Sequence, residues 1–303
     1  MIVEAKGLRK RYKDIWALDG LDLTVQEGEI YGLLGPNGSG KTTTILILLG
    51  LTEPTEGTVR VCGHDPVREP LAVKRVVGYL PEKVGFYEEL SAWENLRLIT
   101  RLNGIPEPEA KRRIAEALEQ VGLKEIAKRP VATLSHGMRQ RLGIADVLVK
   151  KPKLAILDEP TSGIDPEGAV QVLELIKRLR DEARMTVILS SHLLYQVQRI
   201  CDRVGILQKG RMVAEGTVAE LTGEEGGLLA TVAGSTPELR ARLEGEEWTM
   251  SVEDLGGGRL QVLLEEDGRE NLFQIVVEER ATLLELRPRS RSLEEIYLRY
   301  FQE

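Results

Sequence analysis

Cysteine is nearly missing from this chain of 303 residues: Cys62 and Cys201 are the only two. They lie far apart and in no metal-binding or redox spacing, which excludes a disulfide scaffold and fits a reducing cytosol. Long hydrophobic runs are missing as well. The longest apolar stretch, around Ile45–Leu49, falls far short of the roughly 20 residues of a membrane-spanning helix. The opening residues MIVEAKGLRK lack the apolar centre of a secretion signal. A basic excess is also lacking, since the net charge is −7, and this argues against a nucleic-acid partner, which needs a positive face. What is present is 42% apolar and 29% charged residues, the balance of a globular protein with a real core.

The charge is unevenly spread. Residues 221–303 carry 9 Arg, no Lys and 18 Asp and Glu, a balance of −9 that leaves the first 220 residues at +2. No lysine follows Lys209, and the shift coincides with the Gly- and Glu-rich stretch Thr222–Gly227. Two domains are expected, 1–221 and 228–303, joined by a linker at 222–227.

Short β-branched runs come first, at Ile2–Ala5, Leu21–Val25, Ile30–Leu34 and Thr58–Cys62. Turns are expected between them at Asp19-Gly20, Glu27-Gly28 and Pro54–Gly57. Lys41–Leu49 reads as a buried helix. Residues 86–151 read as a helical subdomain, with Ser91-x-x-Glu94 as a capping box and Ile114, Ala117, Leu118 and Val121 at helical spacing. Strands return at Leu154–Leu157 and Thr186–Ser190 around a helix over Pro166–Glu182. Alternating β and α units imply an α/β fold, a mostly parallel sheet with helices on it and a helical block inserted. The last 76 residues read as a small α+β domain without a catalytic motif. Its strands are expected at Leu228–Val232, Trp248–Val252, Arg259–Leu264 and Thr282–Leu286, and its helices after Thr236-Pro237, near Glu270–Val277, and after a Ser292-x-x-Glu295 cap.

Gly35-Pro36-Asn37-Gly38-Ser39-Gly40-Lys41-Thr42 matches G-x-x-x-x-G-K-[ST], and with the following Thr43 it forms the candidate phosphate cradle. Its glycines let backbone N–H groups curl inward onto phosphate oxygens, and the helix that follows adds its positive end. Lys41 is placed to reach the β- and γ-phosphates, and Thr42 to ligate Mg²⁺. Leu154–Leu157 is an apolar strand that ends in Asp158-Glu159. Two adjacent carboxylates at the end of a buried strand suit a metal-side acid, Asp158, and a group that orients or deprotonates water, Glu159.

Leu134-Ser135-His136-Gly137-Met138-Arg139-Gln140-Arg141 resembles the signature motif of ATP-binding cassette (ABC) ATPases. Ser162-Gly163-Ile164-Asp165 resembles their D-loop, and Ser191-His192, after the last strand, their switch histidine. Tyr12 stands where the family places an aromatic ring against adenine. The resemblance covers most of residues 1–220 and implies a P-loop NTPase fold of the ABC type. It further implies a head-to-tail dimer, a second copy or a related subunit being the mate. Each ATP then lies between the phosphate loop of one subunit and Ser135 and Gly137 of the other, with Asp165 nearby and His192 supporting the water held by Glu159. Two departures from the family pattern stand out. His136 and Met138 replace a glycine and a glutamine of the signature. In Gly78-Tyr79-Leu80-Pro81-Glu82, Glu82 replaces the Q-loop glutamine, a change that strengthens Mg²⁺ binding but adds negative charge near the γ-phosphate. The Leu-Pro-Glu form and the extra C-terminal domain resemble the subgroup that serves ABC-2-type membrane subunits, which includes daunorubicin-resistance-like exporters.

The expected function is therefore an ATPase that powers export through a separate membrane permease, sitting on the cytoplasmic face of the membrane through that partner. The region Glu82–Leu96, with Phe86, Tyr87 and Trp93, is where the resemblance implies a permease helix docks. A soluble ABC ATPase of DNA repair or translation is the first rival, but the chain has one cassette, no heptad run and no zinc spacing. A nucleotide-binding regulatory module without turnover is the second; it is disfavoured because Glu159 and His192 are both present.

Overall fold

The computed structural model describes residues 1–222, 224–290 and 293–301. They form two compact units, divided between Val218 and Ala219, with 299–301 grouped with the first.

In the larger unit, β1 (Val3–Tyr12) and β2 (Ile15–Val25) make an antiparallel hairpin around Lys13-Asp14, with Lys13 in the left-handed region at φ 52°. The Asp19-Gly20 turn expected from sequence does not exist. β2 runs through it, and Gly20, at φ 82°, is the extra residue of a bulge between the Leu8–Leu21 and Arg9–Asp19 pairs. A bulge and a turn both ask for a glycine with positive φ, so the residue type alone does not separate them. β3 (Ile30–Leu34) leaves this layer for the central sheet, whereas β4 (Glu56–Val61) pairs with the free side of β1, giving the order β2-β1-β4.

The central sheet adds β5 (Val77–Leu80), β6 (Leu154–Asp158), β7 (Thr186–Ser191), β8 (Arg203–Gln208) and β9 (Arg211–Thr217), in the order β5-β6-β7-β3-β8-β9. Every pairing is parallel except β8 with β9, which closes through Lys209-Gly210 with both residues at positive φ. β3, β6 and β7 are buried along their whole length, which is why they read as unbroken apolar runs. Ser191-His192 therefore does not follow the last strand, as the sequence reading had it; β8 and β9 come after it.

Helix α1 (Lys41–Leu48) buries Ile45, Ile47 and Leu48 in a core shared by the two sheets. After α2 (Pro70–Val76) and β5 comes the inserted helical block, α3 (Ala92–Leu102), α4 (Glu107–Gln120) and α5 (His136–Val149). The capping box is complete: Glu94 N–H donates to Ser91 Oγ at 3.2 Å and Ser91 N–H to Glu94 Oε2 at 2.9 Å. On α4, Ala110, Ile114, Ala117 and Leu118 are buried. The unit continues with α6 (Pro166–Ala183) and α7 (Leu194–Ile200), and α8 (Val218–Leu221) follows β9.

The smaller unit is a four-stranded antiparallel sheet of order β11-β12-β10-β13, made of β10 (Glu224–Ala233), β11 (Thr249–Gly256), β12 (Arg259–Leu264) and β13 (Thr282–Ser290). Helices α9 (Pro237–Glu244), capped by Thr236, and α10 (Arg269–Glu278) bury Leu239, Leu243 and Leu272 against it. β10 begins at Glu224, inside the stretch expected to be a linker, and a register shift between Glu224 and Leu228 absorbs Gly226-Gly227. The predicted Ser292 cap lies outside the described residues; the helix after it, α11, runs Leu293–Phe301. Among the described residues no helix is long and apolar enough to cross a membrane.

Candidate nucleotide site

The carboxyl ends of β3, β6 and β7 lie side by side, with Asp158 paired to Ser190 and Leu34 to Ser191. Open α/β sheets bind ligands at this edge. The phosphate loop follows β3 here. Gly40, at φ 112°, starts α1 with no side-chain cap, which leaves the first N–H groups of the helix for an external acceptor. Close packing demands the glycines: a Cβ on Gly35 would stand 2.5 Å from the Leu207 carbonyl, and one on Gly40 2.8 Å from that of Ala17.

Lys41 is buried. Its Nζ donates to the carbonyls of Gly35 at 2.6 Å and Pro36 at 3.2 Å, which bends the side chain back over the loop. Burial lowers its pKa, against the opposing pull of Glu159, Asp158 and Glu82. Asp158 shows the complementary effect. Burial raises its pKa and Glu82 adds to the rise, while hydrogen bonds from Ser190 and Thr42 and the charge of Lys41 oppose it. A desolvated cation and a desolvated carboxylate facing one cavity each lack a counter-charge, which a triphosphate and a metal ion together supply. Ser39 Oγ, buried and without a partner, is a further polar group of the loop left open.

Glu159 sits at φ 48°, a left-handed conformation that costs a non-glycine residue of order 1 kcal/mol or more. It is held there by its N–H, which meets Ser190 O at 3.2 Å and Ser190 Oγ at 3.1 Å. His192 Nδ1 lies 2.9 Å from Glu159 Oε2. The half-exposed imidazole thus fixes the carboxylate where it meets the cavity.

The residues the structure brings together are Tyr12, Pro36, Asn37, Gly38, Gly40, Lys41, Thr42, Thr43, Glu82, Asp158, Glu159 and His192, around a cavity of about 490 Å³. Gly35 and Ser39 form the loop behind this lining. Tyr12 is 44% exposed, with Lys10 Nζ 5.0 Å from its ring centroid. Sequence reasoning missed Ile15, Trp16 and Ala17, which complete the wall beside Tyr12, and Ser190, which holds both carboxylate residues. A hairpin tip predicted at Lys13-Asp14 would have brought the first three in; Ser190, at a strand end, carries no signal of its own.

Three predicted site residues are elsewhere. Ser135, Gly137 and Asp165 line a second cavity of about 240 Å³ that shares no residue with the first. Ser135 caps α5, its Oγ accepting from Met138 N–H at 3.3 Å, and Asp165 caps α6, its Oδ2 accepting from Gly168 N–H at 3.1 Å. Met138 therefore enters this corner through its backbone, and the loss of the glutamine side chain leaves the cap intact.

Comparison with known proteins decides the family. A model described as ABC transporter matches residues 18–162. The linearmycin resistance ATP-binding protein of Bacillus subtilis is 41% identical over 226 residues, 75% of this chain and 72% of that protein. The chain belongs to the ABC transporter family. Another member, the daunorubicin/doxorubicin resistance ATP-binding protein of Streptomyces peucetius, is 39% identical over 265 residues, 88% of this chain and 77% of its own length. A solved ATP-binding subunit of an ABC transporter superposes with TM-score 0.66 at 33% identity, over 73% of this chain and 92% of that one. A dimeric cassette in a post-hydrolysis state, bound to ADP and phosphate, superposes with TM-score 0.65 at 28% identity, over 71% and 98%. The larger unit thus has the P-loop NTPase fold of ABC cassettes, and this member of the family is an ATP-hydrolysing transporter subunit.

Proposed function

We propose that two copies of this chain, or one copy and a related subunit, pair head to tail, each ATP lying between the Lys41 cavity of one and the Ser135 corner of the other. The observation that carries this reading is the division of the predicted site: one half has a buried lysine and no γ-phosphate corner, and the other has the corner and no lysine. Gly35–Thr43 hold the phosphates and Tyr12 faces the base. Ser135, Gly137 and Asp165 close over the far side, where α5 presents the N-terminal end of a 14-residue helix.

Thr42, Asp158 and Glu82 would hold Mg²⁺. Among the described residues no three His, Cys, Asp or Glu side chains form a metal cage, which fits an ion that takes one or two carboxylates and fills its shell with phosphate oxygens and water. Bound there, the ion supplies charge neutralisation at the β- and γ-phosphates. Glu159 accepts a proton from the attacking water. His192 holds that carboxylate and reaches toward the terminal phosphate.

The work is done on a separate membrane permease, which places the ATPase at the inner face of the membrane. Export is the favoured direction, since relatives are named for linearmycin and daunorubicin/doxorubicin resistance. Tyr87 is 63% exposed on a segment pinned by Asn95, which accepts from Tyr87 N–H at 2.9 Å and donates to Tyr87 O at 3.0 Å. That rigid, partly apolar ledge, within Glu82–Leu96, is the permease contact. Residues 1–221 are the nucleotide-binding domain and 228–303 an accessory domain without chemistry of its own. The test is size-exclusion chromatography of Glu159→Gln with ATP and Mg²⁺. A shift to a dimer is expected, and a species that stays monomeric overturns the shared site.

A further inference from the structure

His136 stands where the family pattern has a glycine, and its ring is engaged. Nε2 lies 2.8 Å from the carbonyl oxygen of Ser162. A carbonyl only accepts, so Nε2 carries the hydrogen and donates it. The fit is close: a Cβ on Gly163, which is at φ 70°, would lie 3.1 Å from the same nitrogen.

The two ends of this bond belong to different halves of the site. His136 opens α5 between Ser135 and Gly137, in the corner proposed to receive the mate's γ-phosphate. Ser162 closes a turn whose first residue is Glu159, with Ser162 N–H donating to Glu159 O at 3.0 Å. At the other end of the turn, Asp165 caps α6 and Ile164 N–H reaches Thr161 O at 3.3 Å. From the helix start that touches one nucleotide to the carboxylate that serves another there are only two hydrogen bonds: imidazole to Ser162, and Ser162 to Glu159.

We infer that His136 is a positioning residue which sets Glu159 of one site according to whether the signature corner, and so the opposite site, is filled. This rests on the shared-site reading above. A γ-phosphate drawn onto Ser135 and Gly137 moves the start of α5, and the imidazole carries that movement to the turn. With the glycine of the family pattern at position 136, no side chain is available to make the link. Coupling of this kind is a free-energy difference between two arrangements of one connected element, and it is measurable as such.

The experiment compares ATP turnover in the full chain for His136→Ala, His136→Gly and His136→Gln, with each change repeated in the Glu159→Gln background to read ATP-driven dimerisation. Loss of one hydrogen bond that acts through positioning predicts kcat about fivefold lower in the Ala and Gly variants. The ATP concentration for half-saturation and the yield of trapped dimer should stay within twofold. The side-chain amide of Gln can donate to the same carbonyl, so His136→Gln should recover at least half of the turnover. An unchanged kcat in His136→Ala overturns the inference. So does a loss that Gln fails to recover, or one matched by an equal loss of trapped dimer, since either marks a merely structural residue. Failure of Glu159→Gln to dimerise with His136 intact is a separate result: it removes the shared site itself.

Discussion

The two cavities of the larger unit hold charge in opposite ways. Around Lys41 the charged groups are buried and perturbed, with lysine pushed down, Asp158 pushed up and Glu159 in a left-handed backbone. Around Ser135 the polar groups are satisfied within their own chain: the serine and Asp165 each cap a helix, and His136 rests on the Ser162 carbonyl. One region is preorganised at a cost in local stability and gains a partner when nucleotide arrives. The other is stable by itself and has only to be brought up. Binding and closure can then be separate events, the first a property of one chain and the second of a pair.

The largest test of this contrast is turnover. Glu159→Gln keeps the shape and the hydrogen bond from His192 but removes the base, so the ATPase rate should fall by about a thousandfold, measured as phosphate release. Nucleotide affinity of the monomer should hardly change. Lys41→Ala attacks the same cavity from its charged side. Removing a buried cation that meets phosphate should weaken ATP binding by about a hundredfold, read by equilibrium dialysis; an unchanged affinity would take Lys41 out of the cradle.

The third test concerns a buried charge within the other region. Asp146, on α5, has its pKa raised from 3.8 to about 6 by burial, with Lys150 opposing, and its Oδ1 has no hydrogen-bond partner. Because the folded value is above the unfolded one, the native state holds the proton more tightly. Stability from this group is fully present below about pH 4 and is lost as pH rises through about 6. A shift of about two units corresponds to at most about 3 kcal/mol. Asp146→Asn should therefore be the more stable protein at pH 7.5, by about 2 kcal/mol, with the advantage shrinking toward pH 4. Urea unfolding of both proteins at the two pH values checks the sign. The smallest effect is expected from Ser135→Ala. It removes the cap of α5 and should cost about 1 kcal/mol of stability. It should also slow turnover while leaving the affinity of a single chain for ATP unchanged, which sharpens the distinction between the two cavities.

What was legible in the sequence follows how local the causes are. The Ser91–Glu94 box, the α1 start after Gly40-Lys41 and the strand Arg259–Leu264 depend on neighbours within a few residues, and each is where it was expected. β5 was missed because four residues, Val77–Leu80, are too few to show a period. β8 and β9 were missed because their hairpin turns on Lys209-Gly210, where a lysine at φ 48° takes the place of the usual Asn or Asp. The chemistry was more legible than its support. Lys41, Asp158, Glu159 and His192 announce themselves by type and spacing, whereas Ser190 and Trp16 owe their places to strand pairing that no short window contains.

Gly210 ties distant parts of the chain together. Its N–H donates to Ser39 O at 2.9 Å, its carbonyl accepts from Asp19 N–H at 2.9 Å, and a Cβ there would lie 2.8 Å from Ala17 O. The curl that cups a phosphate near residue 40 is thus riveted by a hairpin made some 170 residues later. A fragment stopped at residue 200 would keep every letter of the G-x-x-x-x-G-K-T motif and lose the clasp that gives the motif its shape. During synthesis, the cradle is completed only once β9 has left the ribosome.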